Sequence, residues 1–73
     1  MNLPTIYQIH VKDHVGTEWS EWFAPLTIIN ESNGEATFTG LVRDQSELHG
    51  LIDKIFNLNL TLLAVKQIKG LPE

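Results

Sequence analysis

The side chains in this sequence whose chemistry could exceed a structural role are three histidines, two tryptophans and one acid beside a histidine. His10 and His14 stand four residues apart. On an extended strand that spacing is about 13 Å, so both can serve one ion only if His14 folds back in a loop. The chain has no cysteine and no His-Glu-x-x-His arrangement, so no metal and no cofactor is expected. His49 and Asp53 fall at i, i+4 and would meet on a helix, either as an oriented acid–base pair or as a local hydrogen bond at the helix margin; the local bond is the expected role. No Ser- or Cys-centred nucleophile motif accompanies them. Trp19, Trp22 and Phe23 fall at i, i+3, i+4. They form either an aromatic ligand platform or core, and core is the expected role, with one indole edge left to line a groove.

The elements that must position these groups are legible from periodicity. Residues 5–12 alternate, with Tyr7, Ile9 and Val11 on one side and Ile6, Gln8, His10 and Lys12 on the other, which predicts a strand with one strongly buried face. Residues 17–23 predict a helix of at most two turns, with Gly16 or Thr17 as N-cap and a stop at Pro25. Two β-rich segments, 26–31 and 35–42, flank Asn33-Gly34, whose positive φ angles suit a tight hairpin. Asp44 predicts an N-cap for a helix over 45–58, with Glu47 reaching back to close a capping box. Leu48, Leu51, Ile52, Ile55 and Leu58 form its apolar stripe. Asn59 suits the left-handed position that ends such a helix, with Ile55 and Leu60 in the accompanying contact. Gly50 inside it costs about 1 kcal/mol relative to alanine, which points to close approach of another backbone or to tolerance on a solvent face. Residues 61–68 predict a last strand, apolar on both faces until Lys66.

The order strand, short helix, strand, strand, long helix, strand predicts an α+β two-layer sandwich of ferredoxin-like βαββαβ kind, with a four-stranded, mostly antiparallel sheet. The alternative is a β-meander followed by helix and strand, because residues 13–25 barely suffice for a crossover between parallel strands. Either way the helices cover one sheet face. The other should carry Ile6, Gln8 and His10 from the first strand and Thr27, Ile29, Thr37, Thr39 and Leu41 from the hairpin, joined by Leu62 or Ala64 and Ile68. That face is neither clearly wet nor clearly core, the character of a surface used in pairing.

Composition narrows the functions further. At 73 residues the chain fits one domain, with an ordered core over about 5–69. Such a domain buries only roughly 60% of its unfolded surface, which favours help from a partner subunit. The net charge of −4 excludes a phosphate-backbone binder, and the RNP pattern of RNA-binding sheets is missing. Residues 1–36 hold one base and five acids, while residues 37–73 hold four of each and balance. No leader-like or membrane-length apolar run is visible, so a cytoplasmic protein is expected.

The run Trp19-Ser20-Glu21-Trp22-Phe23, the strand Leu26-Thr27-Ile28, Thr39-Gly40, Asp44-Gln45 with Leu48-His49-Gly50-Leu51, and Leu62-Leu63-Ala64-Val65 together resemble a family of small, stand-alone, uncharacterised bacterial proteins. The resemblance spans residues 7–68. It implies a compact bacterial cytoplasmic domain and brings no known activity with it. Members commonly carry Gly where this chain has Asn59, in keeping with the cap argument.

The function these features point to is a non-enzymatic interaction module, homodimeric through the second sheet face. The alternatives are a small-molecule-sensing regulatory domain with a pocket at Trp19 and Trp22 or the helix margin at His49, Gly50 and Asp53, and a small enzyme using His10 or His49 with Asp53.

Overall fold

The computed structural model describes residues 5–24 and 26–68. Alternation at the start of the chain produces strand β1, Thr5–Val11, in which Tyr7, Ile9 and Val11 are buried and the intervening residues are half-buried. The hairpin strands are β2, Thr27–Asn30, and β3, Ala36–Val42. Helix α1, Gln45–Asn57, follows, and β4, Leu62–Ile68, closes the described chain. The four strands form one sheet in the order β2-β3-β1-β4 with every neighbour antiparallel. Because β3 lies between β1 and β2, the meander alternative does not form.

Helix α1 is locally determined at both ends. Asp44 is extended at φ −161°, and its carboxylate accepts the Glu47 amide at 2.9 Å. Glu47 does not return the bond to Asp44 as a capping box would. Its Oε1 accepts the Arg43 amide at 2.7 Å, one residue earlier, where the Arg43 guanidinium reaches the same oxygen at 3.4 Å. At the far end Asn59 has φ 61°. The Asn59 amide donates to the Phe56 carbonyl at 2.9 Å and the Leu60 amide to that of Ile55 at 3.3 Å, the double bond of a Schellman motif. Leu48, Leu51 and Ile55 enter the same core as Tyr7, Ile9, Val11, Phe38 and Val42, so α1 covers the inner face of the sheet.

The hairpin turn differs from the expected two-residue form. Glu31 N–H bonds the Glu35 carbonyl at 2.7 Å and Gly34 N–H bonds the Glu31 carbonyl at 3.3 Å. Gly34, at φ 92°, is the positive-φ residue of the turn, and Asn33 is not one. The loop is thus three residues long, a turn followed by a left-handed glycine. Asn33 acts through its side chain instead, its Oδ1 accepting the Glu35 amide at 3.0 Å.

The expected short helix is also corrected. Residues 17–23 form one turn of 3-10 helix, Thr17–Trp19, and then a run of turns. Local bonds such as Phe23 N–H to the Trp19 carbonyl at 3.1 Å do not propagate. Two turns of isolated helix lack the length to be stable, so tertiary contacts dictate the path. The stop assigned to Pro25 lies outside the described residues. One helix and this irregular segment, rather than two helices, therefore cover the inner face; Phe23 and Leu26 from the segment complete its core.

Strand β4 carries a bulge. Val11 pairs with Leu62 and His10 with Ala64, leaving Leu63 as the extra residue. Leu62 consequently packs against the core, and of the two residues expected on the outer face only Ala64 is level with His10 there.

Candidate functional site

The register sets the outer face in rows, since directly paired residues project to the same side. One row holds Leu41, Ile6 and Ile68. The next holds Thr27, Thr39, Gln8 and Lys66, and the third holds Ile29, Thr37, His10 and Ala64. The seven candidate interface residues, Ile6, Gln8, His10, Ile29, Thr37, Thr39 and Leu41, are therefore contiguous. Ile29 and Leu41 are the most open, 49% and 47% exposed, while Thr37 is buried. The rest are half-buried.

His10 is tied into this face. Thr37 donates its hydroxyl to Glu31 Oε2 at 3.0 Å, so its lone pairs face His10 Nδ1 at 3.3 Å. In the neutral ring the network places the proton on Nδ1 and leaves Nε2 a bare acceptor, and Nε2 is buried without a partner. Glu31 is not among the interface candidates, yet alternation along the segment 26–31 sets it on the same face as Ile29.

The other histidines make separate contacts. His14 Nε2 donates to the Glu31 carbonyl at 2.7 Å and so fastens its loop to the hairpin. His49 Nδ1 and Asp53 Oδ2 lie 3.4 Å apart on the exposed side of α1. His10 is on the outer face and α1 is on the inner one, so the sheet separates these histidines. Among the described residues no other segment approaches Gly50: a Cβ there would have nothing within 4 Å. Among the described residues no group of three His, Asp or Glu side chains is placed to hold a metal ion.

The aromatic cluster divides in two. Phe23 is fully buried against Phe38, with ring centroids 4.6 Å apart, and fills the space between sheet and segment. Trp22 continues the chain at 5.2 Å from Phe23, and Trp19 lies 5.3 Å from Trp22. Both indoles remain 36% exposed. Lys54 reaches over from α1, its Nζ 5.6 Å from the Trp22 ring centre and 2.8 Å from the Trp22 carbonyl. The expectation of core holds for Phe23 alone. Three further apolar side chains are exposed, Phe56 at 55%, Leu63 and Val65. Their signal is a phenylalanine one position outside the α1 stripe, followed by a strand apolar on both faces.

The molecule is thus a small α+β domain, a four-stranded antiparallel sheet with a single α-helix among its described residues. The chain belongs to the family of the domain of unknown function DUF8691, whose model matches residues 6–66. No curated protein and no solved structure matches it. No helix among the described residues is long and apolar enough to cross a membrane.

Proposed function

We propose that this chain is a non-catalytic interaction module of the bacterial cytoplasm that works as a homodimer joined through its outer sheet face. The observation that carries this reading is the state of that face. Ile6, Leu41, Ile68, Ile29 and Ala64 surround a polar centre, the described helix and aromatic segment both pack on the opposite side, and Ile29 and Leu41 are left half open to water. Mixed apolar and hydroxyl-bearing surfaces of this kind suit a homodimer better than a solvated exterior. We read the architecture as a ferredoxin-like βαββαβ domain with its first helix reduced to a 3-10 turn. The strand order supports this: β1 and β2 run parallel on either side of β3, and α1 joins β3 to β4 across β1.

Sedimentation of the wild-type chain at micromolar concentration is expected to give a dimer. The variant Ile6→Lys with Leu41→Lys should sediment as a folded monomer, because it sets charges into the seam while leaving the inner core untouched. A wild-type monomer would overturn the reading.

A further inference from the structure

The pairing register of the outer face also specifies how a second copy would sit. We infer that the two copies are related by a two-fold axis running along the seam between β1 and β3, parallel to the strands; this rests on the dimer reading above. Across that seam Ile6 pairs with Leu41, Gln8 with Thr39 and His10 with Thr37. A two-fold along the seam lays each residue on the partner copy of its own cross-strand neighbour. Leu41 then covers the partner's Ile6, and Ile6 covers the partner's Leu41, so four apolar side chains close into one cluster. Further out, β2 lies over the partner's β4. Ile29, level with Ala64 through Thr37 and His10, meets a small residue where it needs room.

Charge and polarity favour this axis over one that runs across the strands through the Gln8–Thr39 row. Lys66 is the one cation in the three rows, at the β4 edge, and it takes part in none of the ion pairs among the described residues. Glu31 lies past the end of β2, at the opposite edge. Three strand spacings of about 4.8 Å and four residues along the strand put Lys66 and Glu31 of one chain roughly 20 Å apart. The seam axis carries Lys66 to the partner's β2, over Thr27 and on the strand that leads to Glu31. An axis running across the strands instead keeps β4 over the partner's β4. Centred on the Gln8–Thr39 row, it sets Lys66 on the partner's Lys66 and faces Leu41 and Ile6 with Thr37 and His10. Like charges opposed, and apolar groups against polar ones, both disfavour that arrangement.

The absence of cysteine makes the axis measurable. Thr27→Cys and Lys66→Cys alter exposed side chains on the two edge strands. Mixed and treated with a dimaleimide whose reach matches the roughly 10 Å between packed sheets, the two variants should cross-link to each other several-fold more than either does to itself. Mass spectrometry separates the three products. Preferential self-cross-linking of each variant would overturn the seam axis while leaving the dimer reading intact. A dimer in sedimentation with neither cross-link would overturn the axis and the face together, and a monomer would overturn the dimer reading itself.

Discussion

The two connections that run over the inner face are similar in task and opposite in construction. The second, from β3 to β4, is α1. Its start is set by Asp44 and Glu47, its end by Asn59, and its buried stripe by residues on the helix itself. The first, between β1 and β2, has one turn of 3-10 helix among its described residues and is shaped from outside. The Asn30 side chain grips Val15 with a bond to its N–H at 2.8 Å and one from Nδ2 to its carbonyl at 2.9 Å, standing in for a neighbouring strand. Asp13 Oδ2 accepts the Thr61 amide at 3.3 Å, His14 is held by Glu31, and Trp22 by Lys54. One connection is written in its own residues, the other in residues that lie elsewhere. Local sequence rules govern only the first kind, and a domain of this size can afford one of each because a single buried ring, Phe23, anchors the irregular one.

Substitutions can pull this contrast apart. Phe23→Ala should cost about 3–5 kcal/mol, because it empties the site between Phe38 and the segment. Native stability for a chain of this length is itself about 4–11 kcal/mol, so Phe23→Leu, a smaller loss, keeps the test readable by urea unfolding. Asn30→Ala should cost about 2 kcal/mol through two lost hydrogen bonds. It should also raise amide exchange in residues 12–24 selectively while α1 keeps its protection. Asp44→Ala should cost about 1 kcal/mol as an ordinary cap deletion, with exchange increasing only in the first turn of α1. Smallest is Gly50→Ala, expected to stabilise by about 0.5–1 kcal/mol in thermal unfolding, since helix propensity favours alanine and the added methyl meets open space. Equal exchange effects from Asn30→Ala and Asp44→Ala would erase the distinction between the two connections.

What was legible follows the same division. The strands of the hairpin, α1, its N-cap and the left-handed Asn59 all depend on residues within a few positions, and each forms where the pattern places it. The segment after Gly16 carries a helical spacing of aromatics, yet its fold depends on Asn30 and Lys54, 15 and 32 residues away from their partners. Spacing alone cannot distinguish a short helix from a loop that buries one ring and leaves two indoles half out. The turn failed differently: Asn-Gly suits a two-residue loop, and here a longer loop uses the glycine backbone and the asparagine side chain separately. On the outer face the row of interface candidates was legible from period two, whereas the Thr37–Glu31 link was not, since alternation assigns a face and does not say which side chain reaches across the turn to which.

Leu63 gives β4 a property its neighbours lack. With Leu62 turned to the core and Ala64 to the far side, the period of two is interrupted there and resumes afterwards. Removing that single leucine would leave a regular ladder in which every remaining side chain keeps its present side. Loss of a residue elsewhere in β4 would shift part of the strand out of phase, moving Val65 or Lys66 through the sheet. Natural variation in chain length is therefore best accommodated at position 63, the one joint in this strand that can shorten without turning anything inside out.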